Sequence, residues 1–258
     1  MVYIHQKMYL LLVASLLSSA SRLYAKPASC KFTAGWIFAP PMFISKEEGG
    51  LDFDLSRLIF SKVDCQFTYE NIPWIRQIEM VKKKQNIVVF PTVVTAERER
   101  FGLYSRAYRK VDRYIWVHQN SKIKASHPEQ FYAQLPAMKF GMVRGYLFND
   151  KFEREGKNRC KELILVNNEK QAVDMLVSQR IDAMATSDYE MQYNLSREQK
   201  NSVRKLEFLF DHSSRNFFLP QTADGERLRG LIDQAIQSVI HTKDYQDILA
   251  KYGYESSD

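Results

Sequence analysis

Residues 73–108, PWIRQIEMVKKKQNIVVFPTVVTAERERFGLYSRAY, constrain the fold more than any other stretch. Trp74, Ile78 and Val81 recur at i, i+4 and i+7, one face of a helix. The apolar run 87–90 lies between polar residues and Pro91, the pattern of a strand buried on both faces. Thr95 suits the N-cap of a second helix beginning at Ala96. Helix, strand, loop, helix in this order is one arm of a parallel α/β sheet.

Arg98 stands out within that arm. It falls in the first turn of the second helix, where the macrodipole is positive and a cation is disfavoured. Bare backbone N–H groups at the same place attract anions. An arginine there makes sense if an anion, such as a ligand carboxylate, lies between. The alternative is a pair with a neighbouring acid such as Glu97.

A chain of 258 residues holds one large or two small domains. Its 45% apolar and 13% aromatic content marks a folded protein. Residues 1–25 read as a secretory signal peptide. Lys7 gives a basic start, 8–17 is an uncharged apolar core too short to span a bilayer, and Leu23-Tyr24-Ala25 ends in a small residue suited to cleavage. No other segment is long and apolar enough to cross a membrane, so the mature protein is expected to be soluble and exported to the periplasm.

The sequence has 37 Lys+Arg and 30 Asp+Glu; removing Lys7 and Arg22 leaves 35 basic residues and a net charge of +5. That mild excess favours anionic ligands and is weak evidence for nucleic acid, which is not expected as a partner. Lys82-Lys83-Lys84 reads as a solvated helix C-terminus. Export permits disulfides. Cys30 and Cys65 each precede a strand-like run, 31–38 and 66–69. Should those strands be neighbours in one sheet, their starts come close enough for a bridge, leaving Cys160 free. A lipoprotein reading of Cys30 fits less well, because Pro27-Ala28-Ser29 is a poor lipobox.

From Cys30 the pattern runs strand, a loop with Pro40-Pro41, Gly49-Gly50, a helix at 54–62 with Leu55, Leu58 and Ile59 inward, and a strand at 65–69. After Tyr108, residues 114–117 read as a long strand leaving the first unit. A second α/β unit follows. It has a strand at 139–143 ending in Arg144-Gly145-Tyr146, a helix over 148–155 and a strand at 163–166. Asn168 and Gln171 are spaced as in a capping box. Ala172, Met175 and Leu176 form an inward face, 180–184 turns into a strand, and Ser187-Asp188-Tyr189 opens the next helix. Strands at 206–210 and 217–219 return to the first unit. The end is helical, with stripes at Leu228, Ile232, Ala235 and Val239, then Tyr245, Ile248, Leu249 and Tyr252. Two chain crossings, near 109–117 and 207–216, make a two-lobed protein. Small-molecule sites in such folds lie at the carboxyl ends of strands, in the cleft.

In this order and spacing, several motifs resemble the periplasmic solute-binding proteins of amino-acid-type ABC transporters, the extracellular family-3 group with the type II periplasmic-binding-protein fold. They are Pro40-Pro41, Pro73-Trp74-x-Arg76, Thr95-x-Glu97-Arg98-Glu99, Tyr104-Ser105-x-x-Tyr108, Gly141-x-x-x-Gly145, Ala172-x-x-Met175-Leu176 with Arg180-Ile181-Asp182-Ala183, and Tyr245-x-x-Ile248-Leu249-x-Lys251-Tyr252. The resemblance covers nearly all of the mature chain. It implies two mostly parallel sheets flanked by helices, one per lobe, joined by two crossing strands. Lobe 1 is 26–110 with 214–258, and lobe 2 is 111–213.

The resemblance assigns the grip on a ligand α-carboxylate to Arg98, with Thr95 beside it; arginine–carboxylate contacts can be bidentate and charge-assisted. Trp74 is the aromatic that stacks on the ligand, or alternatively a core tryptophan. Phe90 is placed at the pocket wall, or alternatively in the core. Arg144, Gly145 and Tyr146 offer backbone N–H groups and a guanidinium from lobe 2, unless Arg144 is a rim residue. Relatives that bind α-amino acids usually hold the ammonium with an Asp where this chain has Ser187; Asp188, one residue later, either takes that role or caps a helix. Pro91 replaces a common glycine, Val93 a common hydroxyl and Asn86 a common acid. A carboxylate without an amine therefore stays open beside an α-amino acid.

Three functions compete. The first is a monomeric, non-catalytic binding protein that closes on a small carboxylate and is recognised by a membrane permease or sensor, with no cofactor or metal. The second is an exported enzyme, since exported cyclohexadienyl dehydratases share the fold. The histidines (His5, His118, His127, His212, His241) are scattered, and no Gly-x-Ser-x-Gly elbow, phosphate loop or paired metal-ligand motif occurs. The third is an orphan structural or signalling protein that keeps the fold without tight binding, motivated by Pro91, Val93 and Ser187; a ligand-sensing protein without a transporter is a further alternative. The first reading fits the residues best.

Overall fold

A computed structural model describes residues 30–254. The expected signal peptide lies outside the described residues. The strands are β1 (Lys31–Trp36), β2 (Gln66–Asn71), β3 (Ile87–Thr92), β4 (Gly102–His118), β5 (Lys139–Val143), β6 (Glu162–Val166), β7 (Ala183–Thr186) and β8 (Val203–Pro220). The helices are α1 (Leu51–Phe60), α2 (Trp74–Lys82), α3 (Ala96–Glu99), α4 (Pro128–Gln134), α5 (Lys157–Arg159), α6 (Glu169–Val177), α7 (Asp188–Asn194), α8 (Ala223–Val239) and α9 (Lys243–Lys251).

The architecture is the expected two-lobed α/β fold, with one correction. The strands form a single eight-stranded sheet in the order β2-β1-β3-β8-β4-β7-β5-β6, not two sheets. In each lobe three strands are parallel: β1 pairs β2 and β3, and β5 pairs β6 and β7. The merger comes from β4 and β8, of 17 and 18 residues. At the usual rise per residue each is roughly 55 Å long. They pair antiparallel from Gly102↔Pro220 to His118↔Val203, while β8 also pairs β3 at one end and β4 pairs β7 at the other. Register shifts flank their middle section, where bulges let long strands bend.

Apolar residues take the faces their periodicity demands. In lobe 1, Phe53, Leu55, Ile59, Leu228, Ile232 and Val239 pack on one face of the sheet against Phe32, Phe90 and Phe217. On the other face Val81, with Trp74 and Ile78 partly buried beside it, covers Ile87, Val89 and Phe218. In lobe 2, Phe131, Phe140, Phe152 and Phe210 form one core, and Trp116, Val173, Leu176 and Met184 the other. The lobes touch where the Tyr189 hydroxyl donates to the Pro41 carbonyl (3.1 Å) and its ring meets Tyr252 and Tyr254 edge-on.

Two helix starts differ from the sequence reading, each for a local reason. α1 begins at Leu51 rather than 54, because Gly50 adopts φ 131° as its N-cap. A Cβ there would lie 2.3 Å from the Met42 carbonyl oxygen, so only glycine fits. The earlier start brings Asp52 into the first turn, where the dipole favours an acid. The helix expected at 148–155 instead spans 150–159, with a π-helical turn at Phe152–Gly156. Asn149 sets its start by accepting from the Phe152 N–H at 3.0 Å. The Cys30–Cys65 bridge is formed where the parallel neighbours β1 and β2 begin, with Cα atoms 4.7 Å apart. Cys160 is free, and burial pushes its thiol up to about 11.

Candidate functional site

The lobe 1 half of the site is built at the carboxyl end of β3. The Thr95 hydroxyl accepts from the Arg98 N–H at 3.3 Å, as an N-cap should. α3 is a single turn, however, with Arg98 as its third residue. Its dipole is too small to disfavour a cation there, so that part of the sequence argument falls. What remains is the side chain. The Arg98 guanidinium lies 5.2 Å from the Trp74 ring centroid, within cation–π range, and one Nη donates weakly to the Val93 carbonyl at 3.4 Å. No carboxylate lies within 4.0 Å of it among the described residues, so the Glu97 pairing does not form. An open cavity of about 220 Å³ adjoins it, lined by Trp74, Ile75, Ile78, Glu97, Arg98 and Phe101 among others. Trp74 packs partly on the lobe 1 core, and its ring also lies against the Arg98 guanidinium, a contact the sequence reading did not anticipate.

Phe90 is corrected. It is 2% exposed, and its ring packs against Phe43, Phe60 and Phe217 in the lobe 1 core. Its alternate position along β3 turns it to the α1 face, away from Arg98 and Trp74.

In lobe 2, the turn after β5 offers fewer donors than expected. The Arg144 N–H already bonds the Val166 carbonyl (2.9 Å) and the Tyr146 N–H the Val143 carbonyl (3.0 Å). Gly145 turns the chain at φ 84°, and it and Arg144 are exposed. Ser187 caps α7 in a capping box: its hydroxyl donates to Glu190 Oε2 (2.8 Å) and accepts from the Glu190 N–H (3.2 Å). Asp188 is corrected as well. It faces solvent and pairs with Lys205 at 2.6 Å, rather than turning inward as Glu190 does. None of these lobe 2 residues lines the Arg98 cavity.

The buried charge of the molecule lies elsewhere, on the middle of the crossing strands. Along β4, Arg109, Val111 and Arg113 are buried while Lys110 is exposed, the period-2 alternation of a strand with one covered face. Arg215 lies opposite Arg109 in the ladder, and Asp211 opposite Arg113. Arg109 makes a bidentate pair with Asp52, both contacts 2.7 Å, and the Tyr108 hydroxyl donates to the same carboxylate at 2.6 Å. Arg113 donates to Asp211 (2.9 Å) and to Ser213 Oγ (3.0 Å). Arg215 also donates to Ser213 Oγ at 3.0 Å and has no carboxylate within 4.0 Å among the described residues. Burial, then the neighbouring Arg113 and Arg109, bring its guanidinium down to about 9.

Lobe 2 sets two buried glutamates against this surface. For Glu190 burial opposes ionisation, yet Arg113, the Ser187 hydrogen bonds and Arg215 together hold its carboxyl below the usual range. Glu169, the first residue of α6, is 6% exposed, and neither carboxyl oxygen has a hydrogen-bond partner among the described residues. The Thr186 hydroxyl donates to Glu190 at 3.2 Å, and its nearness also favours the charged form of Glu169. Burial and the adjacent Glu190 push Glu169 up to about 8. Tyr146, which with Ser187 is a lobe 2 residue singled out from the sequence that reaches this group, has its hydroxyl raised well above the usual value by burial and by Glu169 and Glu190. Sequence reasoning missed Asp52, Arg109, Arg113, Glu169, Glu190 and Arg215. One signal was available: two arginines at inward positions of an otherwise apolar alternation, Arg109-x-Val111-x-Arg113-x-Ile115.

The two-lobed α/β fold, with a long crossing pair between the lobes, is one shared with solved periplasmic binding proteins. The chain belongs to the bacterial extracellular solute-binding proteins, family 3, whose family model matches residues 37–255. No curated protein sequence matches it. Several solved structures share the fold. The arginine-, lysine-, histidine-binding protein ArtJ from the thermophilic bacterium Geobacillus stearothermophilus is 17% identical, with a TM-score of 0.68 over 89% of this chain and 97% of that one. A histidine kinase sensor domain with similarity to periplasmic binding proteins is 16% identical, with a TM-score of 0.70 over 87% and 95%. An ancestral amino-acid-binding protein, described as a precursor of cyclohexadienyl dehydratase, is 18% identical, with a TM-score of 0.66 over 86% and 94%.

Proposed function

We propose that this protein is an exported, non-catalytic binding protein that closes its lobes on a small carboxylate, an amino acid or related polar compound, for ABC-type uptake or for sensing. In this reading lobe 1 is 26–110 with 214–258 and lobe 2 is 111–213, and the hinge is the middle of β4 and β8. The observation that carries it is the Arg98 guanidinium, supported on Trp74, with the Thr95 cap beside it and no acid partner among the described residues. Such a group can take a carboxylate in two parallel charge-assisted bonds. The family supports an extracellular solute as ligand. The neighbours named for binding arginine or glutamate support an amino acid, and the kinase sensor domain keeps signalling beside transport.

A thermal-shift screen against amino acids and small carboxylates tests this. Ligand at about a hundred times its dissociation constant adds roughly 2.7 kcal/mol, a rise of several degrees for a protein of this size. Arg98→Ala is expected to abolish that rise while melting like the wild type without ligand. A variant that binds as tightly as the wild type removes Arg98 as the anchor.

One observation favours a second reading. Burial and the adjacent Glu190 push the Glu169 carboxyl up to about 8, toward the protonated form a general acid uses, and a neighbour is described as a dehydratase precursor. Turnover of prephenate or arogenate, lost in Glu169→Gln, establishes an enzyme; no turnover leaves the binding protein.

A further inference from the structure

We propose that Glu169 is the acceptor for the cationic group of the ligand, an ammonium or guanidinium, in the place that Asp188 leaves by facing solvent. This rests on the binding-protein reading above and adds the residue that separates amino acids from plain carboxylates.

The geometry points to a cation. A buried carboxyl with both oxygens lacking a partner is costly unless a group arrives to pair with it. Four elements converge on Glu169: Glu190 from α7, Thr186 from β7, Arg113 from β4 and Tyr146 from the turn after β5. Arg113 is itself 5% exposed and leaves its Nε without a partner among the described residues. It lies 6.0 Å from the Tyr146 ring centroid. Charge completes the argument. Arg113 and Arg215 balance Asp211 and Glu190, so the group is neutral with Glu169 protonated. An arriving cation keeps it neutral if Glu169 gives up its proton to the buffer, Glu169–COOH becoming Glu169–COO⁻ beside the ammonium. An arriving anion has no such compensation.

Proton release is therefore the signature. Isothermal titration of the twenty common L-amino acids is run at pH 7 in phosphate and in Tris, whose ionisation enthalpies differ. For each amino acid that binds, the deaminated acid with the same carboxylate is titrated as well. The expected result is release of about one proton per amino acid bound by the wild type. Glu169→Gln is expected to release almost none and to bind the amino acid roughly ten- to a hundredfold more weakly, with the deaminated acid unaffected. An amino acid that binds without proton release, or equally well to Glu169→Gln, overturns the assignment and leaves the carboxylate site standing. If no probe binds the wild type, both readings fall together.

The ligand-free protein gives an independent check. A carboxyl whose native value, about 8, exceeds its unfolded value of 4.5 holds its proton longer in the native state. Its effect is most favourable below the unfolded value and is lost as pH rises through about 8. Melting of the wild type is expected to fall between pH 5 and pH 9 relative to Glu169→Gln, the sign set by this linkage. Coincident pH profiles overturn the proposal.

Discussion

Asp52→Ala is expected to destabilise the protein by about 3–5 kcal/mol, read as a lower denaturation midpoint in urea. The carboxylate is fully buried and takes three donors: Nε and Nη2 of Arg109 and the Tyr108 hydroxyl. Its removal leaves a buried guanidinium beside a second one, Arg215, across the ladder. The Tyr254 ring, 5.4 Å away, and the Tyr108 hydroxyl offer it no compensating charge. The loss comes from that uncompensated cation rather than from the bonds themselves. Replacing both partners with apolar residues, Asp52→Leu with Arg109→Met, should therefore recover most of it. A single variant that unfolds within about 1 kcal/mol of the wild type would show that the pair is solvated in solution. The pair also ties α1 of lobe 1 to the crossing strand, so the double variant should alter lobe motion even where stability returns.

Reduction of the Cys30–Cys65 bridge is the second large effect. The bridge spans 35 residues, and closing a loop of that length restricts the unfolded chain by about 4 kcal/mol. For a protein of this size that is a fall in Tm of roughly 8–16 °C. Cys30→Ser with Cys65→Ser should reproduce it without reductant. β2 has no fully buried residue and pairs only β1, so the bridge anchors an edge strand with little core of its own. Amide exchange in β2 should accelerate first. Equal melting of oxidised and reduced protein would sink the prediction.

The comparison of sequence with structure divides along sequence distance. Helix and strand periods, the caps at Thr95 and Asn168, and the strand starts that bring Cys30 to Cys65 were all legible. Each depends on residues within a few positions, or on parallel neighbours whose pattern repeats. The Arg98–Trp74 assembly was legible through its motif. The boundaries of α1 and of the helix at 150–159 shifted by a few residues, because Gly50 and Asn149 start them and neither belongs to an apolar stripe.

Asp188 and Glu190 show the limit most clearly. They lie two positions apart on one helix, and the sequence spacing points to Asp188, next to Ser187, as the candidate for the cleft. In the fold, Glu190 turns back onto the Ser187 cap and faces inward, while Asp188 points out to Lys205.

By itself, then, the sequence determined the α/β rhythm, the disulfide geometry and the Thr95–Arg98 element, because local periodicity and capping chemistry act within a turn or a strand. Only the tertiary structure decided that two sheets become one and which charges are buried. Arg113 meets Asp211 and Arg109 meets Asp52 across 98 and 57 residues of chain. Their burial follows from the crossing of β4 and β8 against two lobes, and no local pattern records which distant acid will arrive or that Glu169 will be left without a partner.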